Sequence, residues 1–233
     1  HWSIEKTTAY LFRPSWLRKI DRFIGSYLGQ GEDRKILDLG CGIGRDSLFF
    51  ASKGFQVYGI DMSSNSIMKA NEFAKYTGLR SKVRFVVGDI ENMGFSDSCF
   101  DIILGRAILH HLPNPRKCLR ECQRLLSHDG RVVFLEPLKF NPLVNLNRMA
   151  TPKLRTPTEH PFDPDQLVSL FQDFMVNIRY FYLTMPLAVY FADKGCKSFF
   201  SRCGEILNRF DDLLLRTSLK RFSWVLLICG LKK

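Results

Sequence analysis

From Lys35 to Pro137 the chain alternates short apolar runs, several ending in Asp or Gly, with stretches of helical composition. KILDLG (35–40) runs into glycines, and RDSLFFASKG (45–54) reads as a helix closed by a glycine. QVYGID (56–61) is a second strand. SSNSIMKANEFAKYTG (63–78) is a second helix, capped by Ser63 or Ser64. VRFVVGD (83–89) and CFDIILGR (99–106) follow as strands, then a helix over RKCLRECQRLL (116–126) and a fifth strand, GRVVFLEP (130–137). Strand and helix at this spacing form βαβ units, and these build a parallel sheet buried on both faces.

The flanks are less regular. Trp16, Ile20, Phe23, Tyr27 and Leu28 recur at helical intervals, and Gly29 to Gly31 end that helix. After Pro137, FNPLVNLNRMATPKLRTPTEHPFDPD reads as loop with one short helix. Asp163 then stands as an N-cap and Pro164 as the first helical residue. MVNIRYFYL (175–183) reads as a strand and SWVLLICGLKK (223–233) as a terminal one. Between them, 194–221 is predicted helical, with Phe199, Phe200, Ile206, Leu207, Phe210 and Leu214 on one side.

The 233 residues, 45% hydrophobic, suffice for one core with a cap. A net charge of +11 suits an anionic partner: nucleic acid, a membrane surface or a phosphorylated small molecule. It equally suits a soluble, mildly basic enzyme. The 7 cysteines form no zinc-ligand spacing, so no metal is expected, and they read as reduced thiols. No signal peptide opens the chain, and no apolar run approaches the roughly 20 residues of a membrane span. A cytoplasmic protein is expected, with peripheral contact to a membrane as an addition. The oligomeric state is not legible.

The strongest local signal is DLGCGIG (38–44). Glycines at 40, 42 and 44 let the backbone turn sharply and bring a ligand against bare main chain. A dinucleotide loop has the spacing G-x-G-x-x-G; here it is G-x-G-x-G with Asp38 leading in, which argues against a nicotinamide oxidoreductase. Asp61 ends the second strand, placed to accept from both ribose hydroxyls. Asp89 ends the third, placed to accept from an adenine amino group while Ile90 lines the ring. All three acids stand at carboxyl ends of successive strands, where open α/β sheets bind ligands.

On ILDLGCGIG, VYGIDMS, VVGDIENMGFSDSCFDIILGRAILHHL and LLSHDGRVVFLEP, covering about 35–137, the chain resembles the class I S-adenosylmethionine-dependent methyltransferases. The resemblance implies a Rossmann-like, doubly wound α/β sheet of seven strands, the last antiparallel and inserted between strands five and six. It implies that Asp38, Gly40, Cys41, Gly42 and Gly44 cradle the methionine part of the cofactor. Asp61 and Met62 would hold ribose and adenine, Asp89 and Ile90 the adenine, and Arg106 the methionine end. The implied layout is a helical lid (1–30), a cofactor-binding core (31–138), a substrate loop, strand and helical cap (139–222), and the final core strand (223–233).

LGRAILHHLP thereby falls beside the transferable methyl group. An imidazole there can take a proton from the acceptor as the methyl arrives. AILH also looks like the phosphoethanolamine methyltransferases, whose histidine in a similar run acts in the active site; that carries over to His110. This chain has two histidines where that family has one, and His111 reads as packing. Glu136, ending strand five, and His160, in the loop leading to the next helix, are further candidates to orient or deprotonate the acceptor.

The end of strand four reads LGRA, not the N/D-P-P-Y/F of nucleic-acid amino methylation, and the basic residues are scattered, so nucleic acid is disfavoured. Aromatic residues in RYFYLTMPLAVYF and the helix after it point to a cap over a small apolar or amphipathic acceptor: an aromatic metabolite, isoprenoid or lipid. The alternatives are a non-catalytic cofactor-binding partner subunit and an RNA or protein methyltransferase.

Overall fold

The computed structural model describes residues 18–31, 33–150, 159–187 and 197–233, with backbone alone for 18 and 197–203. In chain order the elements are α1 (Arg18–Leu28), β1 (Lys35–Leu39), α2 (Arg45–Ala51), β2 (Gln56–Asp61), α3 (Ser64–Tyr76), β3 (Val83–Val87) and β4 (Phe100–Arg106). A 3-10 turn (Leu109–His111), α4 (Pro115–Leu125), β5 (Leu126–Pro137), α5 (Pro142–Ala150), α6 (Pro164–Ser169), β6 (Phe174–Phe181), α7 (Lys197–Leu214), a second 3-10 turn (Ser218–Phe222) and β7 (Val225–Lys232) follow. The seven strands form one sheet in the order β3-β2-β1-β4-β5-β7-β6. β7 runs antiparallel to both β5 and β6 and lies between them, as the resemblance implied.

Alternation along the strands divides the core into two layers. Ile36, Ile102, Leu104, Val133, Leu135 and Leu227 point to one face, beneath α1, α2 and α3. Leu37, Leu39, Ile103, Val132, Phe134 and Ile228 point to the other, beneath α4 and α6. Successive strand residues face opposite sides, so a strand buried on both faces must be apolar throughout, which is why these runs read as continuous. Gly105 in β4 is required by Phe134, whose ring would lie 2.3 Å from a Cβ there.

Local chemistry sets the ends. Ser63 caps α3 by accepting from Ser66 N–H at 3.2 Å. Asp163 caps α6, and Pro164 is its first residue, but the helix stops at Ser169. Gly29, at φ 73°, ends α1.

The described part of residues 1–30, α1, packs on the core, and one expectation, for α7, changes. Ile20, Ile24 and Leu28, on one helical stripe, are buried in the core, each stabilising by about 1.5–3 kcal/mol. Tyr10, Phe12 and Trp16 lie outside the described residues. In α7 the apolar residues do not share one side: Leu207 packs on the core, while Ile206 and Phe210 are exposed. The cause is Asp211, buried one position on from Phe210, whose carboxylate accepts from the N–H groups of Leu183 (2.9 Å) and Thr184 (2.8 Å) and from the Thr184 hydroxyl (2.7 Å). Tyr180, Phe181 and Tyr182 pack against the sheet; Tyr190 and Phe191 lie outside the described residues. No helix among the described residues is long and apolar enough to cross a membrane.

Candidate functional site

A cleft of about 270 Å³ opens at the carboxyl edge of the parallel strands, lined by Asp38, Gly40, Cys41, Gly42, Ile43, Arg45, Asp46, Arg106 and Ala107. Gly40, Gly42 and Gly44 all take left-handed backbone, at φ 62°, 53° and 80°. Only glycine adopts this conformation without penalty, and Gly40 and Gly44 carry a further demand. A Cβ on Gly40 would lie 2.4 Å from Ile108 Cδ1, and one on Gly44 2.6 Å from the Phe85 ring. A Cβ on Gly42 would meet nothing within 4 Å.

Asp61 braces the loop: one carboxylate oxygen accepts from Gly42 N–H and the other from Ser63 N–H, both at 2.8 Å. Each oxygen keeps a second lone pair. Met62 stands fully outward beside it. Asp89 is exposed and accepts from Glu91 N–H at 2.8 Å, whereas Ile90 is buried among Leu37, Leu39 and Met93.

The electrostatics centre on Arg106. Its Nη2 donates to Asp21 at 2.8 Å, which ties α1 to the end of β4. Its Nε lies 2.7 Å from Asp46 but off hydrogen-bond alignment, and its buried Nη1 has no hydrogen-bond partner. Asp46 is also held by Arg45. Asp38, buried beside them, accepts from Ser47 Oγ at 2.5 Å. Burial, with Asp46 close by, pushes its carboxyl up to about 7. Burial likewise pushes the Cys41 thiol far up, which removes it as a nucleophile. Asp21 and Asp46 escaped sequence reasoning; Asp46, two residues past the last glycine, was the legible signal. Ala107 was missed as well: a non-glycine at φ 54° lining the cleft, a strained backbone of the sort that gathers at functional sites.

Beside the cleft, three candidates meet. Glu136 is fully buried; one oxygen accepts from Ile108 and Leu109 N–H, both at 2.9 Å, and the other lies 2.7 Å from His110 Nδ1. The carboxylate therefore fixes both the turn after β4 and the imidazole. His110 is the buried member of the pair; His111 is half-buried, its ring centroid 4.1 Å from that of His110. Burial first, and then His110, lower the His111 pKa. His160 enters through its main chain, donating N–H to His110 O at 2.9 Å, while its side chain is exposed. Ile108 joins the two groups, since it fills the space above Gly40 and hangs from Glu136.

Comparison with known proteins bears on this arrangement. A family model described as a methyltransferase domain matches residues 30–160. An uncharacterized methyltransferase of Bacillus subtilis, YcgJ, is 32% identical over 126 residues, 52% of this chain and 49% of its own. The ajmaline N-methyltransferase of Rauvolfia serpentina is 37% identical over 103 residues, 44% of this chain and 35% of its own. The chain thus spans about a third to a half of these curated relatives. Among solved structures, the geranyl diphosphate C-methyltransferase of Streptomyces coelicolor, determined with S-adenosyl-L-homocysteine, superposes with a TM-score of 0.66 at 15% identity, covering 91% of this chain and 79% of that one; this is a likeness of fold. The strand order, the glycine cleft and the family match over more than half the chain agree: the protein belongs to the class I S-adenosylmethionine-dependent methyltransferases.

Proposed function

We propose that the protein transfers a methyl group to a small apolar or amphipathic acceptor at the carboxyl edge of β4 and β5, with His110 as the base. The observation that carries this is the buried His110–Glu136 pair, 2.7 Å apart, hung on the same strand end that delivers Arg106 to the glycine cleft. The residues present suit the family's cofactor. Asp38 and Asp46 line the cleft beside Arg45 and Arg106, and Asp38, once ionised, suits a cationic sulfonium or ammonium. The free Nη1 of Arg106 suits a carboxylate.

Asp38, Gly40, Cys41, Gly42, Gly44 and Arg106 would hold the methionine part, Asp61 and Met62 the ribose and adenine edge, and Asp89 with the Ile90 backbone the adenine. The bound cofactor supplies an electrophilic methyl carbon whose sulfur leaves as a thioether. What the chain adds is alignment of the acceptor with that carbon, the larger part of such an acceleration. Glu136 keeps a proton on His110 Nδ1, so that Nε2 is the atom free to take one from the acceptor. His160 would position the turn through its main chain. Residues 31–138 would then bind the cofactor and 139–222 shape the acceptor site. Ajmaline, named for a relative, and geranyl diphosphate, named for a structural neighbour, are small, and the second joins an apolar chain to a charged diphosphate; both support a small apolar or amphipathic acceptor.

The test is incubation with methyl-labelled S-adenosylmethionine and cell extract, separated into organic-soluble, small aqueous and macromolecular fractions. Label is expected in the organic fraction, falling about 10²-fold or more with His110→Ala. Label confined to RNA or protein would overturn the acceptor class, and transfer by His110→Ala at the parent rate would overturn the base.

A further inference from the structure

The cap turns a second apolar face outward. On α7, Ile206, Phe210 and Leu213 are 68%, 50% and 62% exposed. Their spacing of four and then three residues places them on one stripe, beside the side that Leu207 and Asp211 hold inward. Leu219 and Phe222 extend the exposed apolar surface along the following 3-10 turn. Asn141 ties that turn to α5, its amide donating to Phe222 O at 2.9 Å and Leu183 O at 3.0 Å. On α5, Leu146 and Met149 are also outward, 67% and 77% exposed. Exposed apolar side chains thus stand on α5, on α7 and on the second 3-10 turn of the cap, and such clustering marks interaction surfaces.

The charge of this face leans positive, with Lys220 and Arg221 resting over the Tyr180 and Phe140 rings. Exposed Arg209, Arg216, Lys220 and Arg221 flank the stripe, against Glu205 and Asp212, and Asp212 is already paired with Lys19. A second copy related by two-fold symmetry would set these cations against themselves. The chain's own residues 1–17 carry Lys6 and Arg13 against Glu5, so they are mismatched too. Anionic lipid matches both the apolar stripe and its basic flanks.

The face also stands next to the reacting end. Arg148 on α5 bonds Glu159 at 2.9 Å, and the next residue, His160, donates its N–H to His110 O. We infer that the outward face of α5, α7 and the second 3-10 turn docks on an anionic bilayer and holds the acceptor site at the membrane surface. This rests on the acceptor class proposed above: an apolar acceptor dissolves in the bilayer, and docking shortens its path to His110.

The test uses the full chain with vesicles of phosphatidylcholine, alone or mixed with phosphatidylserine, read by co-sedimentation and by hydrogen exchange. S-adenosylhomocysteine binding is measured on the same samples. The parent is expected to sediment with the anionic vesicles only, with new protection over 206–222. Phe210→Glu with Leu213→Glu, and separately Lys220→Glu with Arg221→Glu, should weaken partition about tenfold or more. S-adenosylhomocysteine affinity should stay unchanged in both, which shows that the variants are folded. Docking is overturned if the parent stays in solution with anionic vesicles at low salt. It is equally overturned if 206–213 is as protected without vesicles, or if Phe210→Glu abolishes a dimer and nothing else. Ligand binding without sedimentation overturns docking alone; sedimentation without ligand binding overturns the methyl-transfer reading and leaves docking standing.

Discussion

Among single residues, Asp38 couples the electrostatics of the cleft to the proposed cofactor site. Burial and Asp46 raise it from 3.8 to about 7, so between these values the native chain keeps a proton that the unfolded chain has lost. Stability therefore falls as pH rises from about 4 to 7, by as much as about 4 kcal/mol. Asp38→Asn should flatten that slope in denaturant titrations, and an unchanged slope would contradict the assignment. Binding of a cation has the opposite sign, because it needs the carboxylate: cofactor affinity should fall by up to tenfold per unit below pH 7 and level off above it. Calorimetry across that range reads this directly, and a flat profile would remove Asp38 from the site. The glycines teach a related lesson. DLGCGIG displays three glycines, but not that Gly40 yields to Ile108, Gly44 to Phe85 and Gly42 to the open cleft. Gly44→Ala should cost about 2–4 kcal/mol by denaturant unfolding, the sum of ring overlap and left-handed strain.

At the element scale, the turn after β4 is built by a residue far along the chain. Glu136 on β5 supplies all the acceptors that hold Ile108, Leu109 and His110. From the sequence, Glu136 and His110 stood as two separate candidates, since nothing local links residues on different strands; the parallel pairing of Arg106 with Leu135 is what brings them together. Glu136→Gln places an amide among donors and should cost about 2–4 kcal/mol. Thermal unfolding that shows less than ~1 kcal/mol of loss would mean the carboxylate is not the clamp. Helix α7 shows the opposite failure. Periodicity identified its apolar residues but not which of two apolar stripes faces inward, because a buried carboxylate, Asp211, outweighs either in choosing the side.

At the scale of the whole molecule, the sheet was legible because strands covered on both faces must be largely apolar; Ile102 to Leu104 are so throughout, and β1 departs from it only at Asp38, at the end that meets the cleft. The antiparallel β7 was implied by the family resemblance and not by any local pattern. The cleft was legible in the sequence for Asp38, Gly40 and Gly42, which line it. It was not legible for Asp21, which reaches Arg106 from α1 across 85 positions of sequence. The proposed cofactor site spans Gly42, and calorimetric titration of S-adenosylhomocysteine into the parent and into Gly42→Ala tests that placement. An added methyl at Gly42 has no protein neighbour to strike, so its folding cost is about 1–2 kcal/mol of left-handed strain. The methyl does enter the cleft, so the parent should bind and the variant should bind at least about tenfold more weakly while remaining folded. Equal affinity in the two proteins would place the cofactor elsewhere and contradict the site.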